Sequence, residues 1–204
     1  MSSHKQTVVV AIGSPLGGKS TFCEHLPNVQ RQSFAEPLYR MLEVVCGRAE
    51  IRAARKSNLK DTKLPALQGK TIREALQTLG TEWGRERVGS RVWVDYLFNG
   101  CSGTPVICID DLRFPNEYEE SLKRGAVVVR MVPVTEKNTA PKKSSKKKAS
   151  AKTASKNGPN SHVSESHKDG FKAHIECKWS VRQDIIDFAQ SFDPTPFIGT
   201  EPTL

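Results

Sequence analysis

The run Gly13-Ser-Pro-Leu-Gly17-Gly18-Lys19-Ser20 restricts this chain more than any other eight residues. It fills G-x-x-x-x-G-K-[ST] and follows directly on the apolar stretch Val8–Ile12. That is the context the motif requires: a buried strand feeding a glycine loop that opens a helix. The amides of such a loop, with the positive end of the helix behind them, cradle the phosphates of a nucleotide. Lys19 reaches the β/γ-phosphates and the Ser20 hydroxyl is placed to ligate Mg²⁺. Gly13, Gly17, Gly18 and Thr21 complete the set expected to bind a nucleoside triphosphate.

Length and charge narrow the class. A chain of 204 residues suits one domain, or one domain with a long insertion. No apolar run approaches the ~20 residues of a membrane span, and Met1–Thr7 is too short and polar for a signal peptide. The expected location is cytoplasmic. The net charge is +9, but Lys137–Lys156 alone carries eight lysines and no acid, which leaves +1 for the remainder. A body so nearly balanced is not a basic groove for nucleic acid. The five cysteines include no C-x-x-C pair, and a cytosolic setting predicts that they are reduced, with Cys23 and Cys108 acting as small core hydrophobes.

Strand and helix signals alternate. Strands are expected at Thr7–Ile12, Gln32–Ala35, Pro105–Asp110, Ala126–Val132 and Lys172–Cys177. Helices are expected at Lys19–His25, from Pro37 to Cys46, from the capping box Thr71-Ile-Arg-Glu74 through Leu79, after Ser90, between Pro115 and Gly125, and after Ser180. Arg48–Gly69 reads as a long polar connection. Alternation of this kind predicts an α/β fold of three layers: a central parallel sheet of about five strands with helices on both faces. The single domain would comprise residues 1–136 and 161–204, with an acceptor-side region at 48–70 and 71–100. Residues 137–160 lack any large apolar side chain and read as a lysine-rich disordered insertion.

Three clusters lie outside the glycine loop. Arg73, Gln77 and Thr81 fall at i, i+4 and i+8, hence on one helix face, a spacing that suits a solvated face as well as a binding wall. Asp110-Asp111-Leu-Arg113-Phe-Pro-Asn-Glu117 puts an acid at the tip of a buried strand, where a Mg²⁺ water shell is commonly held. Arg113 adds a planar fork matched to a phosphate monoester. His162-Val-Ser-Glu165, just after the insertion, says little by itself.

Taken together, these segments resemble the phage deoxynucleoside monophosphate kinases, a branch of the P-loop nucleotide kinases. The likeness runs in order through the glycine loop, Phe34-Ala-Glu-Pro37-Leu38, Arg73–Glu82 with its L-Q-T-L-G-T-E, Trp93-Val94, Asp111–Glu117, Arg124-Gly-Ala126, Val129-Arg130 and His162-x-Ser164-Glu165. The chain departs from the family in having Ser20, where aspartate is frequent, and in its long lysine-rich stretch. The resemblance implies transfer of the γ-phosphate of ATP, with Mg²⁺, to a deoxynucleoside 5′-monophosphate, giving the diphosphate and ADP. Lys19, Asp111 and Arg113 would be catalytic. Ser20 and Asp111 would hold the metal, partly through water, with Asp110 as the alternate acid. Arg130 would serve the ATP side, with Arg124 beside it, and Arg73, Gln77, Thr81, Arg85, Arg113, Glu117 and His162 the acceptor. Arg87 and Arg91 are secondary candidates for charge neutralisation. Such kinases from viruses are often dimers, which leaves a homodimer open.

Two other readings stay open: a P-loop kinase of another small metabolite, and a nucleic-acid-associated ATPase that uses the lysine run. A GTPase is disfavoured because the chain has no N-K-x-D segment. A tether through the lysines is electrostatic, so retention on duplex DNA should fall steeply between about 50 and 200 mM salt. Flat salt dependence in a filter-binding titration would leave the run without that role.

Overall fold

Val8–Ile12 is a continuous aliphatic run, the pattern of a strand covered on both faces. All five residues are buried in β1 (Thr7–Ile12). The computed structural model describes residues 6–57, 59–101, 106–134 and 170–204. The insertion expected at 137–160, and His162, lie outside the described residues.

Four further strands, β2 (Gln30–Gln32), β3 (Val106–Ile109), β4 (Val127–Pro133) and β5 (Ile175–Trp179), complete an all-parallel sheet in the order β2-β3-β1-β4-β5. Among the described residues it is accompanied by seven α-helices: α1 (Lys19–His25), α2 (Glu36–Cys46), α3 (Arg48–Lys56), α4 (Ile72–Gln77), α5 (Val92–Gly100), α6 (Pro115–Lys123) and α7 (Arg182–Ser191). None is long and apolar enough to cross a membrane.

Strand alternation divides the core. Val8, Val10 and Ile12 face Val94, Leu97 and Phe98 of α5, while Val9 and Ala11 face Phe22 of α1 and Ile185 and Ala189 of α7. Helices therefore cover both faces, and the α/β architecture read from the sequence is the one observed. A third apolar cluster lies among helices alone: Tyr39, Leu42, Cys46, Ile51, Ala54 and Ile72 join α2, α3 and α4.

Several local expectations are corrected. The second strand ends at Gln32, because Ser33–Ala35 is drawn into a turn by the Asp111 carboxylate. The stretch from Arg48, read as a connection, begins with helix α3. Only Ile51 and Ala54 bury from it, but burying Ile51 fully contributes about 2 kcal/mol, enough to dock a short charged helix. Ser90 does not cap α5; its carbonyl accepts from Asn116 Nδ2 at 2.6 Å. At α7 the capping acid is Asp184, whose carboxylate accepts from the amides of Ser180 (2.7 Å) and Val181 (3.0 Å).

The cysteine expectation is also overturned for one pair. Packing α1 on the sheet brings Cys23 and Cys108 to a Cα–Cα distance of 5.6 Å, and they form a disulfide that closes a separation of 85 residues. Cys46, Cys101 and Cys177 are free and buried. In the loop-entropy account such a bridge stabilises by roughly 4.5 kcal/mol. Protein denatured without reductant should therefore show three reactive thiols by maleimide mass labelling, and five after reduction. Five in both samples would remove the bridge.

Candidate functional site

In an open parallel sheet the carboxyl ends of the strands form the binding edge. The loop after β1 and the Asp110–Arg113 segment after β3 share that edge, because β1 and β3 are paired neighbours with Val10 opposite Ile109. Gly18 opens α1 at φ 86°, and a Cβ there would lie 2.4 Å from Ile185 Cδ1. Only glycine lets the loop turn this closely beneath α7. Lys19 curls over its own loop and donates from Nζ to the carbonyls of Gly13 (3.0 Å) and Ser14 (2.6 Å). Gly17 donates its amide to Ser14 O at 3.1 Å. Thr21, in the first turn of α1, offers its carbonyl to His25 Nδ1 at 2.8 Å.

The acid facing the loop is Asp110. Ser20 Oγ donates to Asp110 Oδ2 at 2.6 Å, and Asp110 is buried. Arg31, at the centre of β2, donates from Nη2 to the same Oδ2 at 2.6 Å and to Ser20 Oγ at 3.1 Å. Its Nη1 donates to Glu24 Oε1 at 2.9 Å. Nothing in the pattern of residues around Arg31 marks it for a site. It sits in a three-residue polar strand, and only the β2–β3 pairing brings it to Asp110.

Asp111, the acid placed at the metal by the resemblance, points elsewhere. Its carboxylate accepts from Ser33 Oγ (2.7 Å), Phe34 N (2.9 Å) and Ala35 N (2.9 Å), and so fixes the β2–α2 connection. Burial and the neighbouring Asp110 charge raise its pKa, against these hydrogen bonds. The two acids diverge because successive residues of an extended chain point to opposite sides.

Beyond β3 lies a second assembly. Glu117 Oε2 accepts from the amides of Arg113 (2.8 Å) and Phe114 (3.0 Å), which caps α6. Its other oxygen pairs with Arg85 Nη2. Arg85 also donates from Nη1 to Gly80 O at 2.7 Å, and its guanidinium stacks 3.8 Å from the Phe114 ring centroid. Burial pushes the Glu117 carboxyl up to about 7, although Arg85 and the two amides pull it down. Glu117 and Arg85, both expected to contact the acceptor, instead form a buried bridge that positions the backbone at Arg113. Arg113 itself is half-buried at the entrance to α6.

The segment carrying Arg85 is wound as a π-helix over Thr78–Val88, continuing α4. Gly80 O accepts from the side chains of Arg85, through Nη1, and Trp93, through Nε1 at 2.8 Å. Gly84 packs so closely that a Cβ would lie 2.3 Å from Trp93 Cζ2. Short π segments are frequent at functional sites. Four residues of α-helix slightly exceed one turn and four of π-helix fall short of one. Thr81 therefore stays close to the line of Arg73 and Gln77. Gln77 and Thr81 are partly exposed on it, whereas Arg73 turns aside to Asp61, donating from Nε at 2.6 Å and Nη2 at 3.2 Å.

The remaining arginines divide similarly. Arg130 donates to Phe171 O and to Leu204 O (3.3 Å), and so anchors the C-terminal segment. Arg124 pairs with Glu120 at 3.1 Å and Arg91 with Glu120 at 3.2 Å, while Arg87 is exposed. Arg55, hidden from sequence reading inside the expected connection, is delivered by α3. It pairs with Glu36 at 2.7 Å, lies over the Tyr39 ring, and feels the charge of Asp111.

The donor set fits Mg²⁺ bound with a nucleotide. Ser20 Oγ and Asp110 Oδ2 are hard oxygens at a helix N-terminus, and Mg²⁺ keeps water and phosphate oxygens as its other ligands. Among the described residues no group of three or more His, Cys, Asp or Glu would hold a metal on protein ligands alone. Comparison with models of known protein families finds no match, and comparison with curated proteins finds no relative.

The Glu117 carboxyl has a measurable consequence. Its pKa is raised on folding from the ordinary 4.5, so between about pH 4.5 and 7 the folded chain binds more protons than the unfolded one. Stability from this group is full below that window and is lost as pH rises through it. Denaturant titrations at pH 5 and pH 8 should show wild type losing on the order of 3 kcal/mol relative to Glu117→Gln over that interval. Parallel losses in both proteins would mean that Glu117 titrates normally.

Proposed function

We propose that this chain is a P-loop kinase that transfers the γ-phosphate of ATP to a deoxynucleoside 5′-monophosphate. One observation carries the reading: the Gly13–Ser20 loop and the D-L-R segment ending at Arg113 open side by side at the carboxyl edge of paired strands β1 and β3. A loop suited to phosphates and an arginine fork suited to a second phosphate thereby share one edge of the sheet. The rim between Arg73 and Thr81 adds polar groups for a base and sugar.

The chemistry asks little of side chains beyond position. A phosphate monoester has a second pKa near 6, so its attacking oxygen is already largely ionised at neutral pH. No general base is needed, and catalysis reduces to aligning two phosphates and offsetting their repulsion. Lys19 and the loop amides hold the donor. Ser20, backed by Asp110, would hold Mg²⁺, which when bound neutralises charge on the β/γ-phosphates. Arg113 grips the acceptor phosphate, its backbone fixed by Glu117. Asp111 keeps Phe34–Leu38 in place below the acceptor.

The assignment of the metal-side acid is Asp110, with Asp111 a positioning residue. A coupled ADP-release assay across deoxy- and ribonucleoside monophosphates tests the whole. Turnover on one or more deoxynucleotides should vanish in Lys19→Ala and fall by two or more orders of magnitude in Arg113→Ala without a matching loss of thermal stability. A wild type inactive on every nucleoside monophosphate would transfer the reading to a kinase of another metabolite.

A further inference from the structure

Arg31 holds both oxygens that the proposed function assigns to Mg²⁺. Its Nη2 lies 2.6 Å from Asp110 Oδ2 and 3.1 Å from Ser20 Oγ, atoms that are themselves 2.6 Å apart. A cation seated on Ser20 and reaching Asp110 through its water shell meets a positive group already bonded to the same pair. Like charges at such separations repel, and the lone pairs facing Arg31 cannot serve both partners. We propose that Arg31 is a resident counter-ion of the metal subsite, which a divalent cation entering with a nucleotide must displace.

The surroundings supply what such an exchange needs. The Asp110 side chain is 5% exposed, so its charge requires a partner at all times. Arg31 provides one, which spares the fold an uncompensated buried carboxylate. The Arg31 and Glu24 side chains are 39% and 48% exposed, on the open side of the site. Nη1 rests on Glu24 Oε1, so the guanidinium can release Asp110 and remain held beside the loop. The strand carrying it, β2, is three residues long and lies at the edge of the sheet, so displacement disturbs little else. A further consequence is selectivity in time. The cation site becomes available only when the incoming charge outweighs the guanidinium, as Mg²⁺ with a di- or triphosphate does.

This inference rests on the nucleotide reading, and one experiment separates the two. Mn²⁺ is titrated into protein saturated with ADP, and free Mn²⁺ is followed by electron paramagnetic resonance for wild type, Arg31→Gln and Arg31→Lys. Glutamine keeps a donor for Asp110 but no charge, so Arg31→Gln should bind Mn²⁺ roughly five- to thirtyfold more tightly than wild type. Arg31→Lys retains the charge and should stay within about twofold of wild type, which a merely structural disturbance would not spare. Unchanged or weaker Mn²⁺ binding in Arg31→Gln, or equal tightening in both variants, overturns the counter-ion role while leaving the nucleotide site intact. A wild type that does not bind ADP by calorimetry overturns the nucleotide reading, and this proposal falls with it.

Discussion

The hydrogen bond from Ser20 Oγ to Asp110 Oδ2 joins the first turn of α1, which follows β1, to the end of β3, a strand far from β1 in the chain but paired with it in the sheet. It can form only because β3 pairs in parallel with β1 in the observed register. The glycine loop, the start of α1 and the tip of β3 thereby become one rigid corner. Arg31 enters the same corner from β2, so three consecutive strands of the sheet contribute to it. Here polar side chains from β2, α1 and the end of β3 meet beside the glycine loop.

A second corner forms from the residue next along. Asp111 organises the β2–α2 turn, and Glu117 organises the start of α6 while holding Arg85. Both carboxylates serve backbone amides, so their work is to fix loops around Arg113. The π-winding of Thr78–Val88 belongs to this arrangement. Arg85 stacks on Phe114 there, and the Gly80 carbonyl also accepts from the Trp93 ring nitrogen. Charge in the region is largely paired within the protein. Arg73 pairs with Asp61, Arg91 and Arg124 with Glu120, and Arg130 with backbone carbonyls of the C-terminal segment.

The departures from expectation share a cause. Helix α3 was not visible because its two buried residues, Ile51 and Ala54, stand among charged neighbours in a segment of low overall hydrophobicity, yet α2 and α4 supply the apolar surface it needs. The Cys23–Cys108 bridge was not visible because two cysteines 85 residues apart become neighbours only when α1 packs on the sheet. In each instance the deciding contact is non-local.

The sequence by itself determined the α/β class, the parallel sheet, the glycine loop and most helix limits. These follow from short-range chemistry: unbroken aliphatic runs, a loop whose Gly18 takes a positive φ, and the box that Thr71 and Glu74 form. Tertiary structure alone decided which of Asp110 and Asp111 meets Ser20, that Glu117 and Arg85 are partners, and that Arg31 takes part at all. Adjacent residues on a strand end are equivalent in sequence and opposite in space. Which of them faces the loop is set by strand order and register, and those are properties of the whole sheet.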